Sequence, residues 1–386
     1  MKFKRIFLIV LDSLGVGEAI DAEKYNSKGA NTLAHLMDNG LFIPNLSNLG
    51  LTNTLLMNNK ESEAYYTIAR PKNAGCDSLS GHYEMMGVEN TKEPLFNKVA
   101  FPRDLLERIA QDTQVPIIGN IIGDCETVIN RLGEREEETK SLIIYTTGDS
   151  NMEIAANEDI IPLNQLEEYC ELIRNITIKD EWRVNSVIAR PFKKVGDKYE
   201  LTTDTKRYTF DPPTSSVLDN IKANNLQTIS IGKISNIFNN QGITKIIKSS
   251  TNNEATNKLL EIMDKDFSGL CFVNLPDFDI LYGHSRNVMG YKEALEEFDV
   301  LVPLIINKLN LNDLLIITAD HGNDPTMDGV SHTRENVPVI IYSRSLTGNG
   351  QLDILDTFAD IGATITEALE IEQKPWIGTS FLNKLK

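Results

Sequence analysis

At 386 residues, with 41% apolar and 7% aromatic side chains, the chain exceeds what one core usually supports and carries enough apolar surface for two. A formal charge of −17 excludes nucleic acid and anionic membrane as natural partners, because such a surface repels phosphate-bearing polymers. The apolar run at 6–11 is far too short to span a bilayer and lacks a signal-peptide cleavage pattern, so a cytoplasmic protein is expected. Four scattered cysteines, Cys76, Cys125, Cys170 and Cys271, suit a reducing compartment.

In chain order, residues 6–11 read as a strand buried on both faces, ending at Asp12. His35 sits in an ordinary helical pattern. Asn73-Ala-Gly-Cys-Asp-Ser-Leu-Ser-Gly-His82 is a Gly-bearing turn running into a helix predicted over 78–86. Between about 91 and 212 the character changes. Strand-like pieces at 115–119, 141–147, 186–189 and 199–202 surround a helical stretch at 163–173, and the charged run 134–140 reads as a solvated loop. This stretch is predicted to be a second α/β domain inserted into the first, with hinges around 89–94 and at Pro212-Pro213. The helix 218–223 leads into a strand at 228–232. The run 270–275 ends in Pro276, Asp277 and Asp279, and the run 314–318 ends in Asp320 and His321. Helical spacing marks 291–309, with Pro303 a kink, and an amphipathic segment at 352–369. Strands alternating with helices predict a doubly wound α/β core, 1–90 with 213–386, and an inserted smaller α/β domain at 91–212.

Four of the five histidines, His82, His284, His321 and His332, lie beside acids or glycines. A carboxylate such as Asp320 at the end of a buried strand is costly unless paired, hydrogen-bonded or bound to a metal, and no Arg or Lys adjoins it. A divalent cation shared with His321 resolves that cost. Asp12, Asp279, His284 and His332 supply further ligands, enough for two ions. Mixed Asp and His ligands favour manganese, zinc or iron. Two ions about 3.5–4 Å apart stabilise both the attacking and leaving oxygens of a phosphoryl transfer. Ser78, at a helix N-terminus where free N–H groups and the positive dipole end favour an alkoxide or phosphate ester, is the candidate nucleophile. Ser80 is the alternative hydroxyl. His82 reads as a substrate or supporting group on the same helix, or as packing.

Asp12, Asp77-Ser-Leu-Ser-Gly-His82, Asp277-Phe-Asp-Ile-Leu-Tyr-Gly-His284, Ala319-Asp-His-Gly-Asn-Asp-Pro-Thr326 and His332-Thr-Arg-Glu335 resemble the phosphopentomutase family of the alkaline-phosphatase superfamily. So do Ile188-Ala-Arg-Pro-Phe192 and Ile231-Gly-Lys-Ile234, and the similarity spans nearly the whole chain. The resemblance implies an alkaline-phosphatase-like core with an inserted cap domain and two Mn2+ ions. Asp12, Ser78, Asp320 and His321 would hold one ion, and Asp279, His284 and His332 the other. It implies an isomerase that interconverts ribose 1-phosphate and ribose 5-phosphate, and the deoxyribose pair. The route implied is a phosphorylated Ser78 and a sugar bisphosphate, with a bisphosphate such as glucose 1,6-bisphosphate as primer. Asp149 is then a candidate for the ribose hydroxyls. Arg190, Arg207 and Lys233 are candidates for the distal phosphate, since Arg grips phosphate in bidentate fashion. Four positions depart from the family pattern. Ser78 stands where Thr is usual, Ser186 and Ser285 stand where basic side chains are expected, and Asn151 stands where a small apolar residue is usual. Lys206 is a candidate to compensate.

Two other readings remain open at this level: another phosphosugar mutase or a phosphatase of the same superfamily, and a catalytically silent phosphosugar-binding protein. A hydrolase would release inorganic phosphate from ribose 5-phosphate with manganese, whereas a mutase would isomerise it and respond to a priming bisphosphate.

Overall fold

Runs of Ile, Leu, Val and Phe buried on both faces form the central strands, and more polar or exposed stretches supply the remaining strands. In the computed structural model, which describes residues 3–90, 101–148, 150–202, 205–209, 211–372, 375 and 377–386, the strands are, in chain order, β1 (Arg5–Leu11) and β2 (Tyr65–Ala69). There follow β3 (Ile117–Ile122), β4 (Leu142–Thr146), β5 (Asn151–Asn157), β6 (Ser186–Val195), β7 (Lys198–Leu201) and β8 (Lys206–Thr209). The last group is β9 (Gln227–Ile231), β10 (Lys245–Ile247), β11 (Gly269–Leu275), β12 (Asp313–Thr318), β13 (Val337–Tyr342) and β14 (Gly350–Gln351).

The chain divides into two units, Met1–Thr91 with Pro212–Lys386, and Lys92–Asp211. The first is built on a sheet ordered β10-β9-β11-β1-β12-β13-β2-β14. Strands β10, β9, β11, β1 and β12 run parallel, while β13 is antiparallel to both β12 and β2. All seven residues of β1 and of β11 are buried, as strands covered on both faces require. Arg5, at the base of β1, is buried too, and its guanidinium bonds Asp313 together with the carbonyls of Met263 and Lys265. The long helix Val288–Lys308 contains Pro303. No helix among the described residues is long and apolar enough to cross a membrane.

The second unit has its own sheet, ordered β3-β4-β5-β6-β7 with β8 also on β6. One core forms between the helices Arg103–Thr113 and Leu163–Thr177 and the sheet, with Leu105, Ile109, Leu166 and Ile173 inside. Two sequence expectations fail here and in the first unit. The charged run 134–140 is not a loop: it is the end of the helix Cys125–Thr139. Asp124 caps that helix by accepting from Thr127 N–H, and Val128, Ile129, Gly133 and Glu136 turn inward at helical spacing while the remaining charges face water. The segment 352–369 is helical only over Ala359–Ala368. Its first part instead lies along β2, with Leu352 and Leu355 N–H donating to Tyr66 and Ile68 carbonyls. The spacing of Leu352 and Leu355 fits a helix, but their N–H groups are taken by β2, a long-range pairing that local spacing does not encode.

Candidate active site

The carboxyl ends of four neighbouring parallel strands, β9, β11, β1 and β12, deliver the site. Asp12 follows β1 directly, Asp320 lies two residues beyond β12, Lys233 two beyond β9 and Asp279 four beyond β11. Ligands collect at this edge of a doubly wound sheet because loops there are free to diverge in sequence while strands fix their roots. Residues far apart in the chain therefore meet.

Asp12, Asp320 and His321 offer ligand atoms that all lie within 4.8 Å of one another, and so do Asp279, His321 and His332. All five residues are buried. His321 belongs to both groups, and its ring centroid is 4.1 Å from that of His332. His284 joins the second group, with Nε2 3.5 Å from Asp279 Oδ2 and its ring 4.7 Å from that of His332. A single π-helical turn, Phe278–Gly283, carries Asp279, and the His284 N–H bonds back to the Asp279 carbonyl at 3.1 Å. Insertions of this kind recur where a helix must re-aim functional groups. The imidazoles are oriented from behind: His284 Nδ1 lies 2.7 Å from the Val330 carbonyl, and His321 Nδ1 3.1 Å from that of Gly322. With Nδ1 engaged as donor, Nε2 presents its lone pair to the site, as metal-ligating histidines do.

Ser78 opens the helix Ser78–Met85, capped by Asp77, whose Oδ1 accepts from Ser80 N–H at 2.9 Å. Its Oγ lies 2.7 Å from Lys233 Nζ and 3.2 Å from His321 Nε2. Ser80 Oγ instead lies over Gly75, where an added Cβ would meet it at 2.5 Å. Gly81 lets the helix press on the Asp320 backbone, whose carbonyl oxygen would sit 2.0 Å from a Cβ there. His82 has a supporting place, with Nδ1 2.7 Å from the Ser78 carbonyl and 3.2 Å from Asp320 Oδ2. His35 is more than a helix-surface residue, since its Nδ1 lies 2.5 Å from buried Asp324.

Charge in this pocket is unbalanced. Asp12 Oδ1 has no hydrogen-bond donor, and Asp12 Oδ2 meets the Lys233 ammonium. Burial and then the Asp320 carboxylate push the Asp12 carboxyl up to about 6. Burial opposes ionisation of Asp279 as well, but the imidazoles of His284 and His332 hold it well below the usual range. Lys233 is raised because Asp12, Asp320 and Asp279 outweigh its burial. The same three acids raise His321 against its burial. One ammonium cannot neutralise three buried carboxylates, and His321 Nε2 stands 3.6 Å from Asp12 Oδ1 and 3.4 Å from Asp320 Oδ2, too far for good hydrogen bonds. Oxygen and imidazole donors spaced this way fit divalent cations.

The sequence-derived candidates Asp149, Arg190, Arg207 and Lys206 fall in the second unit. Asp149 lies outside the described residues. Arg190 is engaged by Glu153, Nε to Oε2 at 2.6 Å. Arg207 Nη1 donates to Ser186 Oγ at 3.0 Å and to Asn151 Oδ1 at 3.4 Å, so two of the departing positions hold this guanidinium. Lys206 pairs with Glu167 at 2.9 Å. Ser285 Oγ bonds the carbonyl of Leu281 four residues back. Sequence reasoning missed Asn323, whose Nδ2 donates to Asp279 Oδ1 at 2.8 Å. Its place inside the Asp-His-Gly-Asn-Asp run was the available signal.

Comparison with known proteins identifies the family and the fold. The model of the Metalloenzyme superfamily matches residues 4–373. A curated phosphopentomutase from Clostridium tetani (strain Massachusetts / E88) is 44% identical over 396 aligned residues, covering 100% of this chain and 99% of that protein. Among solved structures, a phosphoglycerate mutase from Leishmania mexicana shares the fold with a TM-score of 0.51, at 12% identity and 98% coverage of each chain.

Proposed function

This chain belongs to the phosphopentomutase family of the metalloenzyme superfamily, and from that premise we propose that it interconverts ribose 1-phosphate and ribose 5-phosphate, and the deoxyribose pair. The route is a phosphoserine at Ser78 and a sugar bisphosphate, with two Mn2+ ions in the Asp12 and Asp279 groups and a bisphosphate such as glucose 1,6-bisphosphate as primer. The observation that carries this reading is the position of Ser78 Oγ, 2.7 Å from Lys233 and 3.2 Å from His321, at the junction of the two ligand groups.

When bound, a pair of divalent ions supplies charge neutralisation at the attacking and leaving oxygens. The chain's own groups do the rest. Lys233 favours the Ser78 alkoxide and stays cationic throughout, so the same ammonium balances the phosphoryl oxygens after transfer. Helix N–H groups behind Ser78 favour the ester. In the first half-reaction the free hydroxyl of the pentose monophosphate attacks phosphorus. The bond from phosphorus to Ser78 Oγ breaks, the hydroxyl proton leaves to the pocket's bases, and the bisphosphate forms. In the second, Ser78 Oγ attacks the other phosphate, and the isomeric monophosphate departs with the proton returned. Lys233 thus acts at the nucleophile in this reading, and the distal phosphate falls to the inserted unit. There Arg207, set by Ser186 and Asn151, is better suited than Arg190, which Glu153 neutralises. Excluding water from the phosphoserine, so that it is not hydrolysed, is the role proposed for the inserted unit as a cap.

Intact-mass measurement after incubation with glucose 1,6-bisphosphate and Mn2+ is expected to show one phosphoryl adduct that Ser78→Ala lacks. An adduct that persists in Ser78→Ala would move the nucleophile elsewhere. Release of inorganic phosphate from ribose 5-phosphate without isomerisation would make the protein a hydrolase.

A further inference from the structure

Behind Asp279 lies a hydrogen-bond relay that the mechanism above does not use. Asn323, fully buried, donates from Nδ2 to Asp279 Oδ1 at 2.8 Å. Its Oδ1 accepts from Arg286 Nη1. The same guanidinium donates to three backbone carbonyls: Gly283 at 2.9 Å, Gly329 at 2.5 Å and Ser331 at 2.7 Å. Gly283 immediately precedes His284, and Ser331 immediately precedes His332. The two histidine-bearing segments are far apart in the chain, and this one side chain ties them together and to the carboxylate they share.

We propose that Arg286, acting through Asn323, is a positioning residue for the second metal-binding group, Asp279, His284 and His332. The inference rests on the reading of that group as a cation site. Donor and acceptor chemistry supports it. A guanidinium has donors only, and an ionised carboxylate has acceptors only. An amide between them has one orientation, oxygen toward Arg286 and nitrogen toward Asp279, so the side chain cannot flip without losing both bonds. With Oδ1 held by the amide, Oδ2 of Asp279 is turned to His284, 3.5 Å away. Two backbone features were accommodated to build this arrangement. Gly283 carries no Cβ where one would sit 2.6 Å from Asn323 Nδ2. Arg286 itself holds φ at 55°, in the left-handed region that side chains with a Cβ disfavour and that persists where surrounding contacts demand it. The planar fork is required as well as the charge, since four acceptors lie around one guanidinium and an ammonium has three donors.

The test is titration of the full-length protein with Mn2+ alone, by calorimetry and by electron paramagnetic resonance, in wild type, Arg286→Met, Arg286→Lys and Asn323→Leu. Wild type is expected to take two ions and to show the spectrum of a coupled pair. Each variant should keep the first ion's affinity and weaken the second by about 10–100-fold, the range seen when a partner behind a metal ligand is lost. The spectrum should then revert to that of an isolated ion at one equivalent and stay so at two. The double variant Arg286→Met with Asn323→Leu should be no weaker than the worse single, because both act through one relay. Equal weakening of both ions, unchanged affinity in all variants, or full recovery in Arg286→Lys would overturn the proposal. Should Arg286→Met fail to fold, Asn323→Leu carries the same test, since it leaves the carbonyl bonds of Arg286 in place. A wild type that holds fewer than two ions overturns the cation reading itself, whereas two ions with unaffected variants overturn the relay alone.

Discussion

A lysine 2.7 Å from a serine hydroxyl and paired with a buried carboxylate holds a charge that neither partner can spare. Burial works against the ammonium of Lys233, and Asp12, Asp320 and Asp279 restore it. In the proposed route the cation is in place before any phosphate arrives and would need no rearrangement as charge moves from Ser78 to the phosphoryl oxygens. Lys233→Met is expected to lower kcat by about 10²–10³-fold with a smaller change in KM, in a coupled assay of ribose 1-phosphate with Mn2+. A large rise in KM at unchanged kcat would place this lysine on the distal phosphate instead. At this scale the sequence was informative about which residues gather at the site and silent about their pairing. Asp12 and Asp320 stood out because a strand-terminal acid has few inexpensive roles, whereas a helix-tip hydroxyl such as Ser78 is ordinarily a cap and drew notice only beside them. The contact from Lys233 to Ser78 spans 155 positions, and no local pattern encodes it.

Elements carry a different lesson. The helix Cys125–Thr139 was hidden by its own surface, because six charged residues in the seven of 134–140 look like a loop until the inward positions are counted at a period of 3.6. Glu136 lies on its inner side. It is buried, and its Oε2 has no hydrogen-bond partner. Burial raises its carboxyl from 4.5 to about 7, with Glu137 adding repulsion. The fold therefore favours the protonated acid. Its stabilising contribution is complete below about 4.5 and is lost as pH rises to about 7. Melting temperatures of the full chain at pH 5 and pH 8 should accordingly differ less in Glu136→Gln than in wild type, with the variant gaining at pH 8. Equal pH dependence in both proteins would show that this carboxyl titrates as if exposed. The parallel strands were the easiest elements to read, since burial on both faces leaves an unbroken apolar run. Strand β5 was missed because Asn, Glu and Ala interrupt that pattern at buried positions.

For the whole molecule, strand order decides function. The parallel neighbours β9, β11, β1 and β12 end side by side, so Lys233, Asp279, Asp12 and Asp320 converge although they are scattered over more than 300 residues of chain. That convergence was anticipated from acids at strand ends, and the alternation of elements anticipated the fold class. The sheet order itself, the antiparallel β13 and the relay from Arg286 to Asp279 depend on contacts between distant segments and were not readable. Anomalous diffraction from crystals grown with Mn2+ would reveal the cation pair expected beside the helix-tip serine. Two peaks about 3.5–4 Å apart, one among Asp12, Asp320 and His321 and one among Asp279, His284 and His332, both beside Ser78 Oγ, are the predicted result. A single peak, or peaks remote from Ser78, would contradict it.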